Sequence, residues 1–220
     1  MSPAPAVASA TERRRRLLAF NAGRWQGSFV RLDERGQECD RFPHDLHVRE
    51  LEEEGLIEAC LTNCSSGTSR SMSFQEPPAE MHILSAGHWS LGPERIGDWS
   101  WVSELCLVHG DQRRRAVVRL RPDRLESLVL VWEARPGVEA PVPAAPLLLP
   151  PPSHHRDGAG RSCTRWTVEP GLWIETSWQE AGDLSQQVEL HWEPQPGEAL
   201  QLRRSYGPYG MPEPWDILPS

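Results

Sequence analysis

The chain has no lysine, because all 23 of its basic residues are arginine. Schiff-base chemistry on a lysine, a P-loop lysine and a catalytic serine–lysine pair are therefore excluded. The arginines are outnumbered by 31 acidic residues, which gives a formal net charge of −8. A general nucleic-acid binder needs a basic field to neutralise phosphates, so we expect no nucleic-acid partner.

Long apolar runs are missing as well. No segment approaches the roughly 20 apolar residues that a membrane-spanning helix needs. The first twenty residues also lack an apolar stretch of the length found in a secretory signal. We therefore expect no membrane span and a cytoplasmic location.

The cysteines are odd in number and show no metal-binding pattern. Cys60 and Cys64 have no second matching pair that would complete four zinc ligands. His154 and His155 lie in a Pro-rich stretch, where a metal contact would be adventitious. We expect free and mostly buried thiols in a reducing compartment, and no metal site. The five cysteines are Cys39, Cys60, Cys64, Cys106 and Cys163.

Common catalytic motifs do not occur in the sequence. There is no Gly-x-Ser-x-Gly nucleophile elbow, no Gly-rich phosphate loop and no His-Glu-x-x-His helix. Hydrolase, kinase and dehydrogenase activities have no positive support. The catalytic residues are unknown, and whether the protein is an enzyme stays open.

The N-terminal region predicts a tail followed by one short helix. Residues 1–11 are rich in proline and alanine and predict a disordered tail, and residues 210–220 are predicted to form a C-terminal tail. Thr11 is the predicted N-cap of the helix. The helix should end near Asn21 and Gly23, where glycine allows a sharp turn into the first strand.

From Trp25 onward the apolar residues alternate with a period of two, which predicts β-strands. Short turn-forming segments separate the strands, and helical periodicity is almost absent. We predict an all-β fold, an antiparallel calycin or lipocalin-like barrel of about 10–12 strands in a single domain over residues 12–209. The predicted strands lie at 25–33, 45–53, 56–63, 68–75, 80–90, 99–109, 113–121, 124–134, 161–169, 171–179, 185–193 and 198–206.

Residues 136–160 interrupt this pattern as a Pro-rich insertion loop. Seven prolines in this segment oppose ladder hydrogen bonding. A loop of this length is usually disordered, a lid or a docking segment. We predict disorder, and the apolar stretch Leu147–Leu149 keeps a partner-docking role open.

Trp25 is the predicted plug of the barrel floor, and it needs a cationic partner on the last strand. Leu200, Leu202 and Arg204 share one parity of that strand, so Arg204 points inward if the leucines do. We predict that Trp25 and Arg204 form a structural, barrel-closing stack of guanidinium on indole.

Three segments carry a resemblance to a known family. They are Phe20-Asn21-Ala22-Gly23-Arg24-Trp25-Gln26-Gly27-Ser28-Phe29, residues 104–115 and Leu202-Arg203-Arg204-Ser205-Tyr206. They resemble an uncharacterised calycin-like family of cyanobacteria and plastids, over residues 17–210 without the insertion. That family is similar in fold to the S-type and T-type phycobiliprotein lyases.

The resemblance implies a bilin ligand, phycocyanobilin or phycoerythrobilin, and an apo-phycobiliprotein or photosynthetic assembly client as partner. If the protein is an enzyme, the resemblance implies a phycobiliprotein chromophore lyase. Such a pocket needs aromatic walls for the tetrapyrrole, cations for two propionates and a carboxylate facing the pyrrole N–H groups.

Five residues are candidates for the ligand site. Trp99 and Trp101 share one parity of a predicted strand, and Glu104 has the other parity, so a bulge is needed for all three to face inward. The next strand has arginines on one parity and apolar residues on the other, which favours solvated arginines and leaves a lumen role as the alternative. The arginines are Arg113, Arg115, Arg119 and Arg121, and the apolar residues are Ala116, Val118 and Leu120. The ligand-binding candidates are Trp99, Trp101, Glu104, Arg115 and Trp132.

Three functions stay open. The first is a small-ligand carrier or chaperone that binds a bilin and assists its attachment to a phycobiliprotein. The second is a non-enzymatic assembly factor of a photosynthetic complex that acts through protein contacts. The third is a fatty-acid or lipid carrier, whose apolar pocket would need only one arginine for the carboxylate.

Overall fold

The computed structural model describes residues 8–51, 53–178 and 183–213. Within these ranges it contains one short N-terminal helix and fourteen antiparallel strands, which confirms the predicted all-β fold class. The elements are α1 Ala10–Asn21, β1 Gly23–Asp33, β2 Glu38–Leu51, β3 Leu56–Asn63, β4 Ser69–Phe74, β5 His82–Ile83, β6 Trp89–Leu91, β7 Trp101–His109, β8 Gln112–Arg121, β9 Arg124–Ala134, β10 Ser153–Arg156, β11 Ser162–Glu169, β12 Leu172–Trp178, β13 Gln186–Gln195 and β14 Glu198–Tyr206.

The helix begins two residues earlier than the sequence indicated. Ser9, and not Thr11, is the N-cap, and its Oγ accepts a hydrogen bond from the Glu12 backbone N–H at 3.2 Å. The helix ends at Asn21, as predicted. The outer parts of the predicted tails, residues 1–7 and 214–220, lie outside the described residues.

The strands divide between two sheets. Nine of them form a curled half-barrel in the order β4-β3-β2-β1-β9-β8-β7-β6-β5, and the last five form a sheet in chain order, β10 to β14. The second sheet packs on β6, β7 and β8 of the first. The first sheet therefore has two buried faces, which we call the inter-sheet face and the concave face.

The two faces have different cores. The inter-sheet face carries Leu105 and Leu107 of β7 and Leu130 and Trp132 of β9, which pack against the five-stranded sheet. The concave face carries Trp25 of β1 and a second cluster of buried residues. That cluster includes Leu17, Leu46, Val48, Ile57, Met81, Ile83, Trp89, Cys106 and Val108. Helix α1 thus covers part of the concave face through Leu17.

The strand count exceeds the predicted 10–12 for two reasons. The predicted strand 80–90 is split into β5 and β6 by a turn in which Gly87 has a φ of 80°. Strand β10 forms inside the Pro-rich insertion, where His155 pairs with Cys163 of β11.

The insertion is ordered, so the prediction of disorder was wrong. The Glu38 backbone N–H donates to the Leu147 carbonyl at 3.0 Å, and the Leu149 N–H donates to the Gly36 carbonyl at the same distance. Leu149 is buried in the inter-sheet core. The apolar residues that suggested docking instead hold the insertion against the β1–β2 turn, although Leu148 is 66% exposed.

No helix in the part of the chain that the structure describes is long and apolar enough to cross a membrane.

Candidate ligand-binding site

Two arginines of β8, Arg113 and Arg115, lie on the concave face. Ala116 and Val118 face the second sheet, so the opposite parity points Arg113 and Arg115 into the curl of the first sheet. Arg113 is 1% exposed and Arg115 is 9% exposed. The expectation of solvated arginines is confirmed for the exposed Arg119 and Arg121. It was wrong for Arg113 and Arg115, because it assumed that only one face of this strand could be buried.

Glu133 of β9 is the centre of a buried ion network. Arg113 Nε donates to Glu133 Oε2 at 2.6 Å, and Arg115 Nη2 donates to Oε1 at 3.3 Å. His44 Nε2 of β2 lies 2.7 Å from Oε1. Burial alone would raise the pKa of Glu133, but Arg113 and Arg115 hold that pKa well below its ordinary value. Glu133 is therefore an ionised carboxylate with two cationic partners.

The network reaches the protein surface at Glu104 of β7. Arg115 Nη1 donates to Glu104 Oε1 at 2.8 Å, and the Glu104 side chain is 22% exposed. Burial raises the pKa of Glu104, although Arg115 opposes the shift. The two carboxyl groups of one network thus have pKa values displaced in opposite directions, which is typical of functional sites.

A cleft of about 520 Å³ opens at Glu104. We call it the Glu104 cleft. Its lining residues are Pro78, Glu80, Leu91, Gly92, Pro93, Trp99, Ser100, Trp101, Val102 and Glu104. Apolar and aromatic walls with a few polar groups are the usual composition of a small-molecule site.

Trp99 forms an exposed wall of this cleft, with 56% of its surface accessible. Its indole lies on the backbone of Gly97, where an added Cβ would approach Trp99 Cζ3 to 2.3 Å. Any side chain at position 97 would displace the ring. The absence of a side chain at Gly97 therefore lets the exposed Trp99 ring lie against the backbone beside Glu104.

The cleft brings together three of the five predicted ligand-binding residues, Trp99, Trp101 and Glu104. Arg115 joins them through its bond to Glu104. Trp101 is mostly buried between the sheets, and its Nε1 donates a hydrogen bond to Gln186 Oε1 of the second sheet at 3.0 Å. The predicted opposite parity of Trp101 and Glu104 is visible in these contacts.

Trp132 lies on the opposite face of the first sheet from Glu104 and Arg115. It is 0% exposed in the inter-sheet core, and its Nε1 donates to Glu169 Oε1 at 3.3 Å. Its neighbour Glu133 has the concave parity and forms the network instead. Trp132 is placed as a packing residue of the core between the sheets.

The predicted Trp25–Arg204 stack does not form. The guanidinium groups of Arg113 and Arg135 lie 4.2 and 3.8 Å from the Trp25 ring centroid. Arg204 lies in the second sheet, where its Nε donates to Tyr206 Oη at 2.8 Å. The prediction treated the first and last strands as neighbours in one barrel, whereas they belong to different sheets.

Arg204 nevertheless points inward, as its parity with Leu202 suggested. It is 2% exposed, and it donates to the carbonyls of Glu80 and Gly92 at 3.0 Å each. These bonds fasten the segment around β5 and β6 to the last strand. Because Glu80 and Gly92 line the Glu104 cleft, Arg204 supports one of its walls.

Sequence reasoning missed Glu133 and His44. Glu133 is the one acidic residue in the otherwise apolar stretch from Leu128 to Ala134, and Arg113 is its direct partner in the β8–β9 register. A lone acid in an apolar strand that follows an arginine-rich strand was the available signal. His44 offered no comparable signal, because its pairing with Glu133 depends on the order of β2, β1 and β9.

A second cleft of about 690 Å³ lies near the Pro-rich insertion, and we call it the end cleft. Leu125, Leu149 and Trp166 provide apolar surface there. Buried Trp166 Nε1 and Thr176 Oγ1 have no hydrogen-bond partner within the described ranges. His154 Nδ1 lies 3.0 Å from Thr164 Oγ1 at the same site.

Comparison with known proteins yields a family and a fold. A family model described as "Domain of unknown function (DUF3598), N-terminal" matches residues 11–138, which include the complete ion network. A crystal structure of a protein of unknown function from that family, from Nostoc punctiforme, is similar with a TM-score of 0.65. Its identity is 19%, over 90% of this chain and 94% of that chain. At this identity the likeness shows the fold alone.

Two further results carry no functional information. The Pseudomonas aeruginosa MucA/MucB complex aligns at 12% identity over 92% of this chain and 95% of that chain. Its TM-score of 0.20 supports no argument. No curated protein matches the sequence.

Proposed function

The chain belongs to the DUF3598 family, and we propose that it is a small-ligand carrier whose site is the Glu104 cleft. One observation carries this proposal. A partly exposed carboxyl group with a raised pKa lies at the mouth of a buried ion network and lines a cleft beside an exposed tryptophan. Perturbed titratable groups in apolar clefts are the usual mark of a binding site.

The charges of the cleft restrict the ligand. Among the residues that the structure describes, the ionisable ones that line the cleft are Glu80 and Glu104. Arg115 lies behind Glu104 and is paired with it. A flat ligand that stacks on Trp99 and donates N–H hydrogen bonds to Glu104 fits this lining. A ligand with a negative group would have to direct that group to solvent.

Among such ligands we propose an open-chain tetrapyrrole. Its pyrrole N–H groups are donors for Glu104, and its conjugated plane suits Trp99. Its two propionates would extend out of the cleft into water. The choice follows the resemblance of three sequence segments to a calycin-like family whose fold is similar to that of phycobiliprotein lyases, and it would make an apo-phycobiliprotein the partner.

Binding in this cleft is non-covalent. Cys106 is the thiol that follows Glu104 on the same face of β7, and burial raises its pKa to about 12. A thiol with such a pKa is a poor nucleophile at neutral pH. If the ligand is transferred to a client protein, the attacking thiolate belongs to the client.

The experiment is a ligand titration. Phycocyanobilin, protoporphyrin and a fluorescent fatty acid are added separately to purified protein, and ligand absorbance and tryptophan quenching are recorded. We expect saturable binding of phycocyanobilin that is weakened in Trp99→Ala. Trp178→Ala, a substitution in the end cleft, is the matched control. If none of the three compounds shows saturable binding, the carrier proposal is contradicted.

A fatty-acid or lipid carrier is the second candidate, and the end cleft favours it. An apolar cleft with an unpaired indole N–H and an unpaired hydroxyl suits an apolar chain that ends in a hydrogen-bond acceptor. Arg35 and Arg124 also line this cleft. Fatty-acid binding that is lost in Trp166→Phe and kept in Trp99→Ala would identify this function instead.

A further inference from the structure

Three metal-ligand side chains meet on the outer face of the five-stranded sheet. They are His155 of β10, Cys163 of β11 and Glu175 of β12, and their donor atoms all lie within 4.8 Å of one another. We call them the outer-face cluster. It lies outside residues 11–138, to which the family model applies.

The strand register produces this arrangement. His155 is paired directly with Cys163, and Arg165, two residues further along β11, is paired with Glu175. Residues two apart on a strand share a face, so Glu175 is the diagonal neighbour of Cys163. The opposite face of the same strands carries Trp166 and Ile174 of the inter-sheet core.

The surroundings of Cys163 suit a cation. Cys163 is 2% exposed, and the carboxylates of Glu175 and Asp157 place negative charge near its thiol. A bound divalent cation would neutralise that charge and replace the thiol proton, which leaves to solvent.

A fourth group at the cluster lacks a partner. Ser177 is the direct register partner of Cys163 on the same face, and it is 3% exposed. Its Oγ has no hydrogen-bond partner among the residues that the structure describes. Buried hydroxyls are normally satisfied, so an unpaired one beside three donors points to a missing ligand or a water bound to it.

Glu175 is also oriented from outside the cluster. Arg165 Nε donates to Glu175 Oε2 at 2.9 Å, and the Arg165 guanidinium stacks on Trp173 at 4.0 Å from the ring centroid. Carboxylate ligands in metal sites are commonly held in this way by an outer partner.

We propose that His155, Cys163 and Glu175 bind one zinc-type divalent cation, with Ser177 hydrogen-bonded to a water in the fourth position. The mixed nitrogen, sulfur and oxygen donors select Zn²⁺ over Mg²⁺ and Ca²⁺, which prefer oxygen ligands alone. Three protein ligands and one water also match the open form of zinc site rather than the closed structural form.

The test uses the full chain, stripped of metal with EDTA under reducing conditions and titrated with Co²⁺ alone. We expect thiolate-to-cobalt charge-transfer absorption and tetrahedral ligand-field bands that saturate at one equivalent. Zn²⁺ should then abolish them. If wild-type protein shows no thiolate charge-transfer band, the proposal is overturned.

Variants locate the site. His155→Ala should lose the bands, while its neighbour His154→Ala, whose ring faces Thr164 on the other side of the sheet, should keep them. Cys39→Ser and Cys64→Ser, which alter exposed thiols, should also keep them. His155 is 42% exposed at its side chain, so its substitution leaves the fold intact. Wild-type cobalt affinity in His155→Ala would refute the site.

The orienting role of Arg165 has its own readout. Arg165→Gln should weaken cobalt binding about 10- to 100-fold while the charge-transfer band persists at saturation, as expected for an outer-shell partner. Loss of the band at saturating cobalt would show that Arg165 is required for the coordination itself, which contradicts the assignment.

Discussion

The two faces of the nine-stranded sheet are both buried, but they are built from different chemistry. On the inter-sheet face, Leu130 and Trp132 pack against the second sheet in an apolar core. On the concave face, the next residue along the strand is the ionised Glu133, with Arg113 and Arg115 as its partners. The apolar packing of the inter-sheet face joins the two sheets. The ion pairs of the concave face fix the positions of the charged side chains.

This difference indicates where function resides. Buried charges cost free energy unless they are paired, and an apolar replacement would often stabilise a protein as well or better. An ion network that opens to solvent through Glu104, into a cleft, suits ligand binding better than it suits stability alone. The inter-sheet core also holds a buried cation, Arg114, which stacks on Trp192 and lies 3.9 Å from the partly exposed Glu169. Glu169, however, lines neither the Glu104 cleft nor the end cleft.

The largest effect is expected from removing the centre of the network. Glu133→Gln leaves Arg113 buried without a carboxylate and Arg115 with Glu104 alone, and it should lower the free energy of unfolding by about 3–5 kcal/mol. Chemical denaturation measures this value. Asp123→Asn, at an exposed ion pair in the turn before the same strand, is the control and should change stability little. Equal effects of the two substitutions would show that the network is not energetically distinct.

Trp25→Ala should be nearly as severe, at about 3–5 kcal/mol, because the indole is fully buried and supports two guanidinium groups. Thermal and denaturant unfolding check this, with the exposed Trp99→Ala as the mild comparison. Wild-type stability in Trp25→Ala, together with lost ligand binding, would move Trp25 from the structural core into the site.

Trp132 and Glu133 are adjacent on β9 and lie on opposite faces of the sheet, and this alternation shows which features could be predicted from the sequence. Period-two patterns define strands and their two parities, so the all-β class and most strand positions were accessible, including the common parity of Arg113 and Arg115. Which parity is buried depends on a second sheet that packs on only part of the first. Sequence periodicity contains no information on that packing, and the Trp25–Arg204 pairing failed for this reason.

The same reasoning applies to the site. Glu104, Trp99 and Trp101 lie within six residues, so a local pattern was enough to suggest them. The contact of His44 with Glu133 needs the register of β2, β1 and β9. The prolines of the insertion predicted disorder, but the backbone bonds of Leu147 and Leu149 to the β1–β2 turn depend on its position in the folded chain.

The contributions of Glu133 and Glu104 to folding stability should depend on pH in opposite directions. The pKa of Glu133 is depressed below its ordinary value of 4.5. Its contribution to stability is therefore present above about pH 4.5 and is lost as the pH falls through the folded-state pKa. The pKa of Glu104 is raised above 4.5. Its contribution to stability is therefore present below about pH 4.5 and is lost as the pH rises through the folded-state pKa.

Unfolding curves of wild type, Glu133→Gln and Glu104→Gln over a pH series measure these contributions. The difference between wild type and Glu133→Gln should shrink in acid. Wild type should lose stability relative to Glu104→Gln as the pH rises above about 4.5, by less than the Glu133 effect because Glu104 is partly exposed. Parallel curves would contradict the opposite shifts.

The smallest effect on stability, and the largest on binding, is expected for Glu104→Gln at neutral pH. Replacing the charged acceptor of a ligand N–H should weaken phycocyanobilin binding about 10- to 100-fold, since hydrogen bonds to charged groups contribute about 1.5–3 kcal/mol. Tryptophan quenching measures the affinity. Asp123→Asn, at an exposed ion pair outside the Glu104 cleft, should bind as wild type does. Unchanged affinity in Glu104→Gln would remove this residue from the site.

The titration of Glu104 itself tests the central proposal most directly. The ¹³C chemical shift of its side-chain carboxyl group, followed against pH with and without phycocyanobilin, gives the pKa in both states. A pKa above the ordinary value of 4.5 in the free protein, which falls when the ligand is bound, is the expected result. An ordinary pKa in the free protein, or a raised one that saturating ligand leaves unchanged, would contradict the assignment of this cleft.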